Sequence, residues 1–263
     1  MKPNVLYAIL LSIGAAGFVA WRVHAVKTNN PTQFEILEDV SGSHGGVCTS
    51  LQGLAKQALV SPDASFGSTL TVLVLGDQST ADEPRRIGVY PIPTIRRVAE
   101  GRSEFLRQRE AILANLRTKC QWLRQTTISP IFLGVAQAVA NLRAHGCRAD
   151  SRCRLFVDSD LEENVEVSMK ERLSHPSAKA GSLPPAIDNT GVEVGFCGTA
   201  VTAGRIVDPS GRESRKVQPR SAIEEHWMRQ TWLKLFTVPE TVKFEPYCPI
   251  PPTPWTNSVR LLK

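Results

Sequence analysis

The sequence predicts an α/β fold with a doubly wound, mostly parallel sheet that has one antiparallel edge strand and helices on both faces. Strand-like and helix-like segments alternate along the chain, which is the pattern of a parallel sheet. The stretch at residues 68–76 is a run of aliphatic and β-branched residues, as expected for a strand buried on both faces. The chain has 263 residues, of which 42% are hydrophobic, and this is enough for one sizeable packed domain.

The domain is predicted to begin with a strand, a helix and a second strand. Residues 33–40 are predicted to form the first strand, because an apolar strand pattern leads up to Asp39. A helix follows at residues 46–61 and ends there, since Pro62 disfavours helical backbone in the residue before it. The buried strand at residues 68–76 completes a unit that places two parallel strands side by side.

An edge strand and two helices follow. The segment at residues 87–92 is short and contains Pro91, which fits an antiparallel strand at the edge of a sheet. Residues 102–125 carry apolar side chains at helical spacing. Residues 130–146 are predicted to form the next helix, with Pro130 at the first helical position, where proline is favoured.

The alternation continues to the end of the domain. Residues 153–160 are predicted to be a strand that ends in acidic residues, and residues 191–201 another buried strand. The stretch at residues 162–190 between them is expected to be part helix and part loop. The amphipathic residues 219–236 indicate a helix, and residues 241–247 a last strand.

The charge distribution argues against nucleic-acid binding. The net charge is +6, but it is scattered and includes no long Lys/Arg run. The densest basic stretch, residues 205–220, also contains serine, glycine and proline, so we expect a solvated loop. A nucleic-acid interface would favour a basic stripe with interleaved aromatic residues.

The amino-terminal stretch at residues 5–21 has no charge and lies at the lower limit of length for a membrane-spanning helix. Trp21 and Arg22 form an interfacial end, which favours an uncleaved anchor. A cleaved signal peptide ending near residues 23–25 is the main alternative, and a buried soluble helix is another. We expect a single-pass membrane protein whose globular domain is extracytoplasmic. In a bacterium, this domain would lie in the periplasm.

The domain organisation follows from these segments. We expect an anchor or signal sequence at residues 1–26, a polar linker at 27–33 and one α/β domain at 34–248. The tail at residues 249–263 contains too many prolines for regular structure.

The chain has six cysteines, and none shows the close spacing of a zinc site. Cys147 and Cys153 flank a short helix-to-strand loop, where a local disulfide could close. Such a bond would fit an oxidising compartment. Cys197, inside a predicted strand, is expected to be a buried small hydrophobic residue.

Oxygen-bearing side chains cluster in three places where ligands bind in doubly wound sheets, outside the carboxyl ends of the strands. Asp39, Ser41 and Ser43 follow the first strand. Thr126, Thr127 and Ser129 precede the helix at residues 130–146. Asp158 and Asp160 end the strand at residues 153–160.

In this order, the three places resemble the von Willebrand factor type A family and its metal-ion-dependent adhesion site. That family's first motif, Asp-x-Ser-x-Ser, is matched by residues 39–43. Ser129 occupies the position where the family has a threonine metal ligand, and Thr127 is an alternative candidate for that ligand. Ser159-Asp160 matches the third motif, with Leu161 where a glycine is frequent.

The resemblance covers residues 34–247 and implies a Rossmann-like domain with a divalent cation, Mg²⁺ or else Mn²⁺ or Ca²⁺. The implied metal ligands are Asp39, Ser41, Ser43, Ser129 and Asp160. Hard cations prefer such oxygen ligands. A site with few carboxylates leaves the ion able to accept an acidic residue of a protein partner. The resemblance therefore implies metal-dependent recognition, which we place in a cell-envelope assembly.

Two other interpretations remain open. The domain could keep the fold as a scaffold that binds no metal. Alternatively, Asp158 and Asp160 resemble the Asp-x-Asp start of haloacid-dehalogenase-type phosphatases. There the first aspartate is the nucleophile and the second a general acid, with Mg²⁺ between them.

Overall fold

The fold is known from a computed structural model, which covers most of the predicted domain. It describes residues 31–40, 47–76, 84–94, 102–123, 129–148, 153–161, 186–207 and 213–248. The predicted anchor at residues 5–21, Ser41, Ser43, Thr127 and the tail at residues 249–263 lie outside these ranges. Within the ranges, no helix is both long and apolar enough to cross a membrane.

The described strands and helices follow the predicted order, apart from two strands in and before the basic stretch. They are β1 (Gln33–Asp39), α1 (Val47–Leu59), β2 (Thr69–Leu75), β3 (Arg85–Pro91), α2 (Arg102–Cys120), α3 (Ile131–Ala144), β4 (Cys153–Asp158), β5 (Val192–Cys197), β6 (Val201–Val207), β7 (Glu213–Pro219), α4 (Ala222–Leu233), a 3₁₀ turn (Pro239–Thr241) and β8 (Val242–Phe244). Six strands form the main sheet in the order β3-β2-β1-β4-β5-β8. Strand β3 is antiparallel to β2, and the other neighbours run parallel. This confirms an α/β fold with a mostly parallel sheet and one antiparallel edge strand.

Two hydrophobic clusters cover the two faces of the sheet. Phe34 and Ile36 of β1 pack with buried residues of α1 and α2. Leu37, on the alternate side of the same strand, packs with buried residues of α3 and α4. Because successive side chains of a strand point to opposite faces, β1 contributes to both cores.

The order of strands reverses between β1 and β4. From β1 the sheet extends through β2 to β3 on one side, and through β4 to β5 and β8 on the other. The carboxyl ends of β1 and β4 therefore flank the crevice where doubly wound sheets bind ligands. Asp39 ends β1 and Asp158 ends β4.

The basic stretch at residues 205–220, expected to be a solvated loop, is instead largely part of a two-stranded antiparallel ribbon. Strands β6 and β7 pair along their whole lengths, with Arg205 opposite Arg215. The ribbon also divides the predicted strand at residues 191–201, because β5 ends at Cys197 and β6 starts at Val201. Residues 209–211 read Pro-Ser-Gly, a combination typical of turns, and this signal favoured a hairpin over a loop.

All six cysteines are paired in disulfides. The predicted Cys147–Cys153 bond is confirmed. Cys197 is buried as expected, but the expectation of an unpaired residue was wrong, because it forms a disulfide with Cys248. Strand β5 lies beside β8, so the end of β5 meets the chain just after β8, a proximity that sequence spacing does not reveal. The third bond joins Cys48 of α1 to Cys120 of α2.

Two glycines with positive φ allow a matched test of backbone packing. Gly191 has φ +78°, and a Cβ there would lie 2.1 Å from the carbonyl oxygen of Arg148. Gly146 has φ +98°, but a Cβ there would meet no atom within 4 Å. We expect Gly146→Ala to cost about 1 kcal/mol of unfolding free energy, and Gly191→Ala about 3 kcal/mol, because backbone must move. Urea denaturation measures the free energy of unfolding of both variants. Equal losses in the two would contradict a clash between the new Cβ at residue 191 and the backbone of Arg148.

Candidate functional site

The carboxyl group of Asp39 is the centre of the candidate site. Asp39 is the last residue of β1 and is 1% exposed. Its Oδ2 atom accepts hydrogen bonds from Ser129 Oγ at 2.9 Å and from Ser159 Oγ at 3.0 Å. One carboxylate oxygen thus joins β1 to the segments before α3 and after β4.

Ser129 is committed to Asp39 rather than to its own helix. A serine just before a helix commonly accepts a hydrogen bond from a backbone N–H of the first turn. Here Pro130 is the N-cap residue, and no side chain caps the helix. Ser129 is completely buried, and its hydroxyl donates to Asp39. The hydroxyl therefore belongs to the site and not to helix capping.

The loop after β4 is held in a defined shape. Ser159 Oγ donates to Asp39 and accepts a hydrogen bond from Leu161 N at 3.0 Å. Leu161 has φ 60°, an uncommon left-handed conformation for a residue with a side chain. The carbonyl oxygen of Asp160 accepts a hydrogen bond from Arg220 at 2.9 Å. These contacts fix the loop that carries the buried carboxyl group of Asp160.

Two residues of the predicted ligand set are in direct contact, because Ser129 donates a hydrogen bond to Asp39. Asp160 follows Ser159 in the chain, and Ser159 also donates a hydrogen bond to Asp39. Ser41 and Ser43, as well as the rival Thr127, lie outside the described residues. Ser159 was not predicted as a partner of Asp39. The sequence feature that could have indicated this role is the position of Ser159 directly before Asp160, at the end of a strand.

A second set of polar residues lies at the same carboxyl ends of β1 and β4, on the face of the sheet opposite to Asp39. Glu38 and Asp158 are paired in register on β1 and β4, and both are completely buried. Glu38 accepts a hydrogen bond from Ser50 of α1 at 3.2 Å. Burial, reinforced by the neighbouring carboxyl group of Asp158, raises the pKa of Glu38 well above its usual range. This environment favours the protonated form of Glu38.

The carboxyl group of Asp158 also contacts a disulfide. Among the described residues, Asp158, Cys197 and Cys248 bring potential metal-ligand atoms within 4.8 Å of one another. The Sγ atom of Cys248 lies 2.7 Å from Asp158 Oδ1. Both cysteines are oxidised to a disulfide, however, and only a thiolate is an effective metal ligand. In the oxidised protein this group is therefore a packing contact, distinct from the predicted oxygen site.

No protein-family model matches this chain, and no curated protein matches it.

Proposed function

We propose that this protein is a membrane-anchored, von Willebrand factor type A-like protein that binds a protein partner through a divalent cation in a cell-envelope assembly. The cation would be Mg²⁺, or else Mn²⁺ or Ca²⁺, held by the side chains of Asp39, Ser41, Ser43, Ser129 and Asp160. The observation that carries this proposal is the position of Asp39 at the reversal of strand order, where its carboxylate accepts hydroxyl hydrogen bonds from both adjacent segments.

The hydrogen bonds of the site suit cation binding. The Ser129 hydroxyl directs its proton to Asp39, and this leaves oxygen lone pairs for an ion. Asp39 and Asp160, the two proposed carboxylate ligands, are both buried at this edge. Burying carboxylates costs free energy that a bound cation would offset.

The partner's chemistry follows from the ligand set. The five proposed ligands supply five oxygen atoms, and hard cations such as Mg²⁺ prefer six. The remaining position would be filled by an aspartate or glutamate of the partner.

The proposed location rests on two further features. The uncharged residues 5–21 would anchor the chain in a membrane. The disulfides Cys48–Cys120, Cys147–Cys153 and Cys197–Cys248 are typical of proteins in an oxidising compartment, which supports an extracytoplasmic domain.

The alternatives are less well supported. A metal-free scaffold would use the hydrogen bonds of Asp39 to Ser129 and Ser159 only to join three segments, and the buried carboxyl groups would remain a cost. A phosphatase would need Asp158 as an accessible nucleophile. The Asp158 carboxyl group lies against Sγ of Cys248 at 2.7 Å, and this contact disfavours that role.

Titration of the full-length chain with Mg²⁺ tests the proposal. We expect Mg²⁺ to raise Tm, with a stabilisation of about 2.7 kcal/mol at a hundred times Kd. Asp39→Asn keeps an oxygen that can accept hydrogen bonds from Ser129 and Ser159 but removes the charge, so the Mg²⁺ response should be lost. Asp63→Asn, at an ion pair with Arg154, is the control and should respond like wild type.

Calorimetry and partner capture complete the test. If wild type and Asp39→Asn give the same null heat with Mg²⁺ and unchanged Tm, the metal proposal is wrong. Retention of an envelope partner in Mg²⁺, lost with a chelator and in Asp39→Asn, is the expected result. Equal retention with and without chelator would favour the metal-free scaffold.

A further inference from the structure

A polar groove lies on the α3 side of the sheet, towards the amino-terminal ends of β1 and β2. Its volume is about 590 Å³, and its floor includes Glu35 and Thr71. Glu35 is paired with Thr71, and Thr71 with Val89 of β3, so the three side chains form a row across three strands. Asn141 and His145 at the end of α3 form the opposite wall. The groove is separate from the site at Asp39, which lies four residues further along β1.

Glu35 is the unusual residue of this groove. It is 4% exposed, and its Oε1 atom is buried without a hydrogen bond from any residue that the structure describes. Burying a carboxyl oxygen without a hydrogen bond costs free energy. Burial raises the pKa of Glu35 to about 8, although the nearby charge of Arg86 acts in the opposite direction. Near neutral pH the group is therefore mostly protonated.

The groove combines one acidic group with neutral oxygen atoms and apolar walls. The Thr71 hydroxyl and the Asn141 amide supply further hydrogen-bond acceptors, while Val89 and Leu142 supply apolar surface. Among the described residues, the other charged or titratable groups facing this space are Arg86 of β3 and His145 of α3. With a single carboxylate, the groove lacks the several charged oxygen ligands of a typical divalent-metal site.

We propose that this groove binds an alkylammonium group, carried by a small primary amine or by a lysine side chain, with Glu35 as its counter-ion. The ammonium head would lie against Glu35 and the neutral oxygens, and the alkyl stem against Val89 and Leu142. Binding ionises Glu35, whose proton is released to the solvent while the ligand remains an ammonium ion. The buried carboxylate then gains hydrogen bonds and a direct charge partner, in addition to the nearby charge of Arg86.

Calorimetric titration of the full-length chain with n-butylammonium chloride tests the proposal. At pH 7 we expect a Kd on the order of millimolar and release of about one proton per ligand. The proton appears as a dependence of the observed heat on the ionisation enthalpy of the buffer. The uncharged analogue n-butanol should bind at least about tenfold more weakly.

Two variants and a control identify the group responsible. Glu35→Gln preserves side-chain size and should abolish both binding and proton release. Val89→Lys, at a position that is 52% exposed, supplies a tethered ammonium group in the same row and should block the ligand. Glu104→Gln, the same chemical change at an exposed position of α2, should behave like wild type.

The source of the ammonium group is distinguished by comparing n-butylammonium with Nα-acetyl-lysine N-methylamide. Tighter binding of the lysine derivative assigns the groove to a lysine of a partner, and tighter binding of the simple amine assigns it to a small metabolite. Any of three results would overturn the proposal: the same heat of binding for n-butanol as for n-butylammonium, unchanged binding of n-butylammonium in Glu35→Gln, or no binding up to roughly 100 mM n-butylammonium. Each result is independent of Mg²⁺, so it does not depend on the function proposed for Asp39.

Discussion

Removal of the Cys48–Cys120 disulfide is expected to lower the free energy of unfolding by about 4 kcal/mol. The bond joins α1 to α2, the two helices that cover one face of the sheet. Its cysteines are 72 residues apart in sequence, and closing so long a loop strongly restricts the unfolded chain. Breaking the bond restores that conformational freedom and therefore favours the unfolded state.

The Cys147–Cys153 bond provides the matched comparison, because its cysteines are only 6 residues apart. Removal of this bond, which closes only a short loop, should lower the free energy of unfolding by about 2 kcal/mol, roughly half as much as removal of Cys48–Cys120. Urea denaturation of Cys48→Ala/Cys120→Ala and Cys147→Ala/Cys153→Ala, in otherwise oxidised protein, measures both losses. A larger loss for the short loop would show that native packing, and not loop closure, governs the effect.

Glu35→Gln is expected to stabilise the protein at alkaline pH by about 5 kcal/mol. The pKa of Glu35 is about 8 in the folded protein, against an ordinary value of 4.5, because the group is buried. Between these two pH values the folded state holds a proton that the unfolded state has lost. Wild-type stability therefore falls as pH rises from about 4.5 to about 8 and then levels off. Glutamine carries no charge at any pH and removes this loss.

Denaturation midpoints measured from pH 5 to pH 9 test this expectation. The difference between Glu35→Gln and wild type should be small at pH 5 and largest above pH 8. Some decline with pH should remain in the variant, because burial also raises the pKa of Glu38. Glu193→Gln is the control, since Arg154 and Lys243 bond to Glu193 and the pKa of its carboxyl group is lowered. Burial would be contradicted as the cause of the pH dependence by either of two results. One is a gain in stability at alkaline pH in Glu193→Gln, and the other is a stability difference between Glu35→Gln and wild type that does not change with pH.

Local sequence patterns were sufficient for the main sheet. Alternation of strands and helices, the apolar run around β2 and the proline of β3 predicted a mostly parallel sheet with an antiparallel edge. These signals are local because side-chain periodicity and proline geometry act within a few residues. The ribbon of β6 and β7 was not predicted, because basic residues among serine, glycine and proline are typical of a solvated loop as well as of a hairpin.

The candidate site was only partly predictable. Asp39, Ser129 and Asp160 were predicted because oxygen-bearing residues at strand ends and before a helix, in this order, resemble the von Willebrand factor type A motif. The role of Ser159 depends on which hydroxyl reaches Asp39, and side-chain direction in a loop does not follow from spacing. The contact between Asp158 and the Cys197–Cys248 disulfide is likewise absent from any local pattern.

By itself, the sequence determined the order and type of the main elements and the Asp-x-Ser-x-Ser motif after the first strand. The tertiary structure decided which strands are neighbours, which cysteines pair, and that Glu35 is buried in a groove. These features depend on contacts between residues far apart in the chain, whose free energy comes from burial and packing. A local pattern predicts which face a residue lies on, but the folded chain decides what it meets there.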